Sequence, residues 1–586
     1  MSKIYKCLIV GSGAAAYSAA DWLYREGVRD IAIVTENRLS GTSRNTGSDK
    51  QTYYKLSMDG IVPDSPYKMA SDMFSGGSCD GEKMYIESVN SSKCFLRLCD
   101  YGVEFPTDKY GCYPGYKTDH DNTLRATSVG PLTSKIMTEK LEKVVTEYNK
   151  TPVFDNMLVT EILTDNATAY GVRAYDLVKG KTKDIYAENV ICATGAPACI
   201  YQDSVYPESQ HGMTGVLISA GVKLCNFTQW QYGMASVDFR WNVSGSFMQV
   251  VPRFVSVDSN GNEYEFLTDY FDDIYMAYSF VFLKGYQWPF SYGRADESSR
   301  IDLAVHSEML KGRKVYLDYT CNPVSFDFEK LCDEAKDYII NADCLADTPI
   351  ARLEKLNSKA IDVYLRQGID LHTDKLRIAV CAQHNNGGVC TDNNFETDIK
   401  GLYVIGEAAG TFGLSRPGGS ALNDTQVGGL IAAKHIKNKP STSVELPCFK
   451  NEEEFFAICP DTDYSHFRTE MSQVASFKRD YEGCVALLSK VNSVLESYPK
   501  SHRSIADYYR DLDMLVSMKA LLEAIIAECP DTGSRGGAIF IKNGKTVEEN
   551  TYYRDYLTVT KDGKVEYVKT SPVPCEQKSF EYYLKG

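Results

Sequence analysis

The chain has 586 residues, of which 43% are hydrophobic and 24% charged, and its formal net charge is −15. This length predicts two or three domains, and the composition is typical of a globular protein rather than a disordered one. The acidic balance argues against nucleic acid or an anionic membrane surface as the main partner.

The sequence has no clear signal for membrane insertion, for secretion or for metal binding. No apolar run approaches the roughly 20 residues that span a bilayer, and the N-terminus enters a predicted strand at Lys6 without a signal-peptide cleavage region. The 18 cysteines are scattered, without a C-x-x-C pair or a spacing typical of zinc or iron–sulfur sites. We expect mostly buried free thiols, no metal and a cytoplasmic location.

The first motif lies between a predicted strand, residues 6–10, and a predicted helix that runs to Arg25. Residues 11–16 (GSGAAA) fit G-x-G-x-x-A, whose glycines let the backbone approach a pyrophosphate at the positive end of the helix. The next strand ends at Glu36, 25 residues after Gly11, where a carboxylate can accept hydrogen bonds from a ribose. The pattern predicts a dinucleotide site, but the glutamate does not separate NAD from FAD.

Two later segments are candidates for the same ligand. The polar loop at residues 38–48 can wrap a diphosphate, or it can simply be solvated. The apolar strand 189–192 ends in Ala193-Thr194-Gly195, and these small residues permit a second close approach of backbone to nucleotide. Between the polar loop and the apolar strand, hydrophobic periodicity predicts helices over much of 67–101, with a break near Gly76-Gly77, and over 132–148. Strands are predicted at 153–186.

The composition shifts between residues 227 and 371, and residues 270–292 are dense in Phe, Tyr and Trp. We interpret this region as an inserted second domain whose aromatic residues mostly form its own core. A minority of them are candidates to line a pocket for a bulky ligand.

Residues 381–429 hold glycines and hydrogen-bonding side chains at high density. His384 stands beside two asparagines and two glycines, a strand at 402–405 leads to Glu407, and Arg416 precedes Pro417-Gly418-Gly419. The helix predicted from Ser420 offers free N–H groups and a positive dipole to an electron-rich ring. Beyond residue 438, the pattern predicts a small helical bundle over 455–529 and a strand-rich tail over 543–586.

Together these segments resemble the flavoprotein family of fumarate reductase, succinate dehydrogenase and L-aspartate oxidase, over about residues 3–436. The segments at 11–15, 193–195 and 401–407 carry this resemblance. Residues 384–388 (HNNGG) are similar to the family's H-x-M-G-G, and residues 415–422 (SRPGGSAL) are similar to its N-R-L-G-G-N-S-L.

The resemblance implies an FAD cofactor and an α/β fold, in which a Rossmann-like FAD-binding domain is interrupted by an α+β capping domain. The expected bounds are 1–226 and 372–440 for the two parts of the FAD-binding domain, 227–371 for the cap, and 441–586 for a C-terminal helical region with its tail. Because the loop 40–48 has no histidine, the FAD is expected to be non-covalent.

The expected cofactor-binding residues lie on the two nucleotide segments, the loop after Glu36, one strand of the 153–186 region and the 407–422 stretch. They are Gly11, Ser12, Gly13, Ala14, Glu36, Asn37, Thr42, Ser43, Gly47, Val159, Ala193, Thr194, Gly195, Glu407, Ser420, Ala421 and Leu422.

Four residues are candidates for catalysis. His384 and Arg416 match residues that hold a substrate carboxylate beside the flavin, and Arg300, in a segment similar to the family's P-R-D, matches its proton donor. His384 is also a proton donor by its intrinsic chemistry, because histidine titrates near neutral pH, and Tyr232 is a further cap candidate. The alternatives are that His384 only hydrogen-bonds its ligand, that Arg300 braces the cap, and that Arg416 braces the flavin or a loop.

The sequence also departs from the family pattern. Residues 241–246 lack the glutamate and arginine of the family's T-E-G-x-R-G-x-G-G, Gln231 replaces the histidine of Q-F-H-P-T, and His211 replaces the aspartate of T-G-D-G. These departures argue against a C4-dicarboxylate substrate.

Three functions remain open. The first is hydride transfer between flavin N5 and a small organic substrate, reducing an activated C=C bond or catalysing the reverse dehydrogenation. The second is dehydrogenation of a C–OH or C–N group of a sugar, polyol or amine. The third is an electron-transfer subunit of a larger complex. In each case we expect an external electron donor or acceptor, such as another redox protein.

Overall fold

This computed structural model describes residues 3–58, 60, 62–118, 121–440, 446–449, 457–498 and 501–575. The last part of the predicted strand-rich tail, 576–586, lies outside the described residues, as do 441–445, 450–456 and 499–500 of the predicted helical region. In the part of the chain that is described, no helix combines the length and the apolar content that crossing a bilayer requires.

The α-helices of the described residues are spread along the whole chain. They are α1 (Ala14–Arg25), α2 (Thr42–Asn45), α3 (Pro66–Phe74), α4 (Gly81–Asp100), α5 (Thr133–Lys143), α6 (Thr214–Ser219), α7 (Ser246–Gln249), α8 (Leu267–Tyr270), α9 (Ile274–Leu283), α10 (Arg300–Leu310), α11 (Asp333–Asn341), α12 (Pro349–Leu365), α13 (Ser420–Asn438), α14 (Ser465–Val474), α15 (Tyr481–Glu496) and α16 (Ile505–Thr532).

The strands are mostly short. They are β1 (Ile4–Tyr5), β2 (Cys7–Val10), β3 (Ile31–Val34), β4 (Tyr53–Tyr54), β5 (Tyr116–Thr118), β6 (Asp121–Thr127), β7 (Val153–Phe154), β8 (Met157–Asp165), β9 (Thr168–Asp176), β10 (Lys181–Ala187), β11 (Val190–Cys192), β12 (Leu224–Cys225), β13 (Trp230–Ser236), β14 (Trp241–Asn242), β15 (Arg253–Val257), β16 (Glu263–Tyr264), β17 (Lys314–Asp318), β18 (Leu376–Asn385), β19 (Gly388–Val389), β20 (Leu402–Val404), β21 (Ala457–Ile458), β22 (Lys478–Asp480), β23 (Ser501–His502), β24 (Ile539–Lys542), β25 (Lys545–Thr546), β26 (Tyr556–Lys561) and β27 (Lys564–Lys569).

A parallel sheet of the order β20-β11-β2-β3-β7 forms the centre of the nucleotide-binding half. Its strands are short, fully apolar runs such as CLIV in β2 and IAIV in β3, and every residue of these two strands is buried. Such runs are typical of parallel strands that are covered on both faces. Helix α1 packs against α13 beside this sheet, so the two sequence segments predicted to bind the ligand lie together.

A second, antiparallel sheet has the order β14-β13-β18-β17-β15-β16. Most of its strands come from residues 230–318, but its long strand β18 comes from residues that were predicted to belong to the nucleotide-binding half. Strand β18 pairs with β13 and ends at His384 and Asn385. This strand therefore carries the antiparallel sheet directly to the edge of the nucleotide-binding half.

The C-terminal residues complete two further parts of the molecule. Strands β26 and β27 extend a sheet of order β19-β12-β26-β27, which lies directly behind residues 387–388. Helix α16 packs against α15 and against the short helix α6. Among the described residues, the hairpin of β8 and β9, the break between α3 and α4, and the helices α14 to α16 of the C-terminal part are as predicted.

Candidate active site

A cavity that is partly open to solvent lies at the carboxyl ends of β2, β3 and β11. This edge of a parallel sheet is the usual place for a ligand in an open α/β fold. The side chains and backbone around the cavity come from residues 10–15, 35–51, 134, 157–159, 193–216, 383–425 and, unexpectedly, 509–513. Glu36 lines this cavity near residues of α16, and His384 and Glu407 line it beside one another; the two groups are described below as its two ends.

The middle of the cavity is a backbone cradle. Gly11 has φ +117°, and a Cβ there would lie 2.5 Å from the carbonyl oxygen of Ala193, so only glycine fits. Helix α1 begins directly behind it, and its N-cap residue, Gly13, has no side chain to cap the first turn. The Ser43 hydroxyl accepts the Ala14 N–H at 3.1 Å. Exposed N–H groups and the positive end of a helix fit a pyrophosphate.

One end of the cavity is formed by Glu36 and the C-terminal helix. The Arg510 guanidinium donates two hydrogen bonds to Glu36 Oε1, one of them at 3.0 Å from Nε. Asp513 lies one turn further along α16, and its Oδ1 accepts the Val216 N–H at 2.9 Å. Burial raises the pKa of the Asp513 carboxyl to about 7, and the nearby Glu36 adds to this effect.

The other end of the cavity carries a buried chain of polar side chains. Asn386 Oδ1 accepts hydrogen bonds from Arg416 Nε at 3.1 Å and from His384 Nδ1 at 3.0 Å. Arg416 Nη2 donates to Gln231 Oε1 at 2.8 Å. Both His384 and Arg416 are more than nine-tenths buried, at 8% and 7% exposure. Residues 384, 386 and 416, predicted from separate motifs, therefore form one unit.

The hydrogen bonds of Asn386 fix the tautomer of His384. Because an arginine Nε can only donate, the Asn386 atom that it contacts must be the amide oxygen, and His384 Nδ1 must then donate as well. Burial holds the pKa of His384 well below its ordinary value, and the Arg416 charge adds to this, so the ring is neutral. Its Nε2 therefore carries a lone pair, and this buried atom has no hydrogen-bond partner within the described residues.

Glu407 stands next to this bare nitrogen. Its Oε1 lies 3.7 Å from His384 Nε2, accepts the Asn385 N–H at 3.0 Å and accepts the Tyr206 hydroxyl. Burial raises the pKa of Glu407 to about 7. A carboxyl group and an imidazole that both titrate away from their ordinary values at one end of a cavity are typical of a functional site.

Most of the residues predicted to bind the cofactor do line this cavity. They are Gly11, Ser12, Gly13, Ala14, Glu36, Thr42, Ser43, Val159, Ala193, Thr194, Gly195, Glu407, Ala421 and Leu422. Three others lie just behind it. Asn37 closes a turn by accepting the Leu39 N–H, Gly47 packs against Trp241, and the Ser420 hydroxyl contacts Arg416 and the carbonyl oxygen of Pro417.

The structure places two of the catalytic candidates away from the cavity. Arg300, at the start of α10, donates to the carbonyl oxygen of Tyr270 and lies 4.6 Å from the centre of the Phe271 ring. Tyr232 is fully buried, and its hydroxyl bonds that of Tyr201, which in turn donates to the Ala475 carbonyl oxygen. Since neither side chain reaches the cavity, Arg300 braces the α8–α10 region and Tyr232 packs in the core.

Several cavity residues were not predicted. Gln210 crosses the cavity mouth, donating to the Thr194 carbonyl oxygen at 2.7 Å and accepting from Thr42. Gln383 lies beside His384, and Tyr509, Arg510 and Asp513 come from α16. One usable signal was Asp513, which, like Glu528, is an acidic residue among the mostly apolar buried positions of α16, because a charged group in such a place needs a partner.

The comparisons with known proteins agree with this geometry. A family model described as an FAD binding domain matches residues 6–422. A subunit of the fumarate reductase (CoM/CoB) of Methanothermobacter marburgensis is 24% identical over 468 residues, which cover 74% of this chain and 74% of the relative. L-aspartate oxidase of Bacillus subtilis is 24% identical over 502 residues, covering 82% of this chain and 80% of the relative.

Solved structures show the same fold. The quinol fumarate reductase of Escherichia coli matches with a TM-score of 0.72 at 17% identity, covering 99% of this chain and 98% of that one. Sdh1 of Mycobacterium smegmatis matches with a TM-score of 0.69 at 18% identity, covering 98% of this chain and 95% of that one. The predicted mixed α/β fold is thereby confirmed. Because the family model spans most of the chain, this protein belongs to the FAD-binding-domain family and is an FAD-dependent oxidoreductase.

Proposed function

We propose that this enzyme reduces an activated C=C bond of a small organic substrate, or catalyses the reverse dehydrogenation, at the His384–Arg416 end of the cavity. The observation that carries the proposal is the buried unit in which Asn386 joins His384 to Arg416. The names of two relatives, fumarate reductase and L-aspartate oxidase, support a small carboxylate as the kind of substrate.

The residues of the cavity suit FAD as a resident cofactor. The glycine cradle at 11–13 and the start of α1 would hold the pyrophosphate, Glu36 the ribose, and Glu407, Ala421 and Leu422 the flavin half. When bound, FAD supplies the centre that accepts or returns a hydride.

Arg416 is proposed to attract and orient the anionic group of the substrate. The residue is 7% exposed, and its guanidinium is held by the amide oxygens of Asn386 and Gln231. Its Nη1 also lies 3.4 Å from the Pro417 carbonyl oxygen and from the Ser420 hydroxyl. These bonds fix the plane of the guanidinium, and a planar guanidinium held in a fixed orientation suits recognition of a carboxylate.

His384 is proposed to exchange the proton of the reaction at Nε2. In the dehydrogenation direction the bare nitrogen accepts the proton, and in the reduction direction the protonated ring returns it. Glu407, whose pKa of about 7 leaves it partly protonated near neutral pH, lies 3.7 Å away and can relay that proton.

Residues 227–371 are proposed to act as a cap over this end, with the substrate between the cap and the FAD-binding parts at 1–226 and 372–440. A hydrogen bond from Asn242 Nδ2 to Gln383 Oε1, at 3.0 Å, supports this arrangement because Gln383 lines the cavity. We further propose non-covalent FAD and a separate redox partner. The relative named as one subunit of a fumarate reductase supports the partner.

A second candidate is dehydrogenation of a C–OH or C–N group. The tautomer of His384 favours it, because a bare, buried Nε2 is suited to accept a hydrogen bond from an O–H or N–H, which a C=C bond does not offer. L-aspartate oxidase, whose name refers to an amino acid, also supports this candidate.

Redox titration without oxygen separates these functions. The protein is photoreduced and mixed with a panel of enoates, and the oxidised protein is mixed with polyols and amines, while the flavin absorbance spectrum is recorded. Reoxidation by an enoate supports the first function, and bleaching by a polyol or an amine supports the second. If no compound in either panel changes the spectrum, both are contradicted in favour of an electron-transfer subunit.

A further inference from the structure

The adenosine end of the cavity contains a feature that the nucleotide motif does not explain. Glu36, the expected ribose ligand, is ion-paired with Arg510 of α16, a residue 474 positions later in the chain. Both side chains line the cavity, and each is about one-quarter exposed. The C-terminal helix is therefore part of the wall of the FAD cavity.

Arg510 contacts Glu36 in an asymmetric way. Both of its hydrogen bonds to Glu36 go to Oε1, and a third bond, from Nη1, goes to Asp507 at 3.3 Å. Within the described residues Glu36 Oε2 receives no hydrogen bond, so one carboxylate oxygen is held by the protein and the other remains for a ligand. A carboxylate at the end of this second strand is positioned to accept bonds from ribose hydroxyls.

Asp513 adds a second carboxyl group to the same end. It follows Arg510 by three residues, so both side chains lie on one face of α16. Asp513 is 7% exposed, lines the cavity and holds the start of α6 through Val216. His211, which occupies the position of an expected family aspartate, lines the same end. Position 211 thus brings no acid to the cavity lining, whereas α16 brings Asp513.

We propose that Arg510 and Asp513 are cofactor-binding residues of the adenosine half of FAD, with Arg510 orienting Glu36 toward the ribose and Asp513 presenting its carboxyl group to the adenosine. This role is independent of the substrate that we propose above. It makes α16 a third component of the cofactor site, besides the two FAD-binding segments at 1–226 and 372–440.

The test compares the affinity of the apoprotein for two flavins. FMN carries the flavin but lacks the adenosine half, so a defect at the adenosine end weakens FAD binding and leaves FMN binding unchanged. Apoprotein is titrated with FAD and with FMN, and binding is followed by quenching of flavin fluorescence. For Arg510→Ala and Asp513→Asn we expect the ratio of FAD affinity to FMN affinity to fall on the order of 10-fold.

The controls separate this role from a general loss of structure. Arg503→Ala removes a neighbouring arginine that pairs with Asp511 at 3.2 Å and does not line this cavity, and its affinity ratio should equal that of the wild type. Asp513→Asn keeps an oxygen for the Val216 N–H, so α6 stays in place. An unchanged ratio in both Arg510→Ala and Asp513→Asn, or an equal loss of FAD and FMN binding, would overturn the proposal.

Discussion

The middle of the proposed FAD cavity and its His384–Arg416 end, called the redox end for the function that we propose there, are built in different ways. At the middle, backbone forms the wall, because a Cβ at Gly11 would lie only 2.5 Å from the Ala193 carbonyl oxygen. At the redox end, side chains from 231, 384, 386, 407 and 416 contact one another. A backbone cradle depends on a few local residues, whereas a side-chain unit depends on contacts between distant segments.

The largest expected effect is at the cradle. Gly11→Val should abolish FAD binding, because the added side chain meets the Ala193 carbonyl oxygen and the backbone has φ +117°. Flavin absorbance of the purified protein measures this directly. Gly293→Ala is the matched control, since a Cβ there lies 3.9 Å from its nearest neighbour, Ser291 Oγ. Normal flavin content in Gly11→Val would contradict a backbone cradle.

At the redox end, His384→Ala should retain FAD but slow turnover on the order of 100-fold, because the proton acceptor at Nε2 is lost. Flavin content and the rate of anaerobic flavin reduction or reoxidation are measured on the same preparation. His372→Ala is the control, since His372 is exposed and pairs only with Glu354 and Asp370 in the described residues. Unchanged turnover would remove His384 from the mechanism.

Arg416→Lys tests the anchor of the substrate. We expect KM for an anionic substrate to rise about 10-fold with a smaller change in kcat, because lysine cannot reproduce a planar guanidinium contact. A neutral substrate analogue should show little change. An equal rise in KM for the neutral analogue would indicate that Arg416 supports the fold of this end and does not bind the anion.

The last prediction concerns the pH dependence of stability and not catalysis. Burial raises the pKa of Glu407 to about 7, so between its unfolded value of about 4.5 and 7 the folded state binds more protons than the unfolded state. This contribution to stability is complete below about pH 4.5 and is lost as the pH rises through 7, which amounts to at most roughly 3 to 4 kcal/mol.

Glu407→Gln should therefore flatten the dependence of apoprotein stability on pH between about 5 and 7. Urea unfolding at a series of pH values measures this slope. The exposed Glu566→Gln serves as the control and should leave the slope unchanged. Identical slopes in Glu407→Gln and the wild type would show that the carboxyl group titrates normally in the folded chain.

The same contrast explains what could be predicted from the sequence. The G-x-G-x-x-A turn, Ala193-Thr194-Gly195 and the strand to Glu407 are local patterns, and local patterns determine how a backbone turns. His384 and Arg416 were found because each lies inside such a pattern. Their junction through Asn386 was not predicted, because it joins residues 30 positions apart through a side-chain amide.

Two arginines have positions that no short motif describes. Arg300 lies in a segment similar to the family's P-R-D, and its guanidinium contacts the Tyr270 carbonyl oxygen and the Phe271 ring. Arg510 lies in a helical pattern without a motif, and its pairing with Glu36 depends on how α16 packs across 474 residues of chain. Neither outcome is encoded in a short segment.

The sheet behind the redox end has a consequence for the synthesis of this enzyme. Strand β12 is bonded on one side to β19, next to residues 384–388, and on the other to β26, where the Asn226 N–H donates to the Thr558 carbonyl oxygen at 2.8 Å. Chains fold from the N-terminus as they leave the ribosome. The sheet beside His384 can therefore add its outer strands only after residues 556–569 have left the ribosome. The glycine cradle near the N-terminus leaves the ribosome much earlier and is available to fold before then.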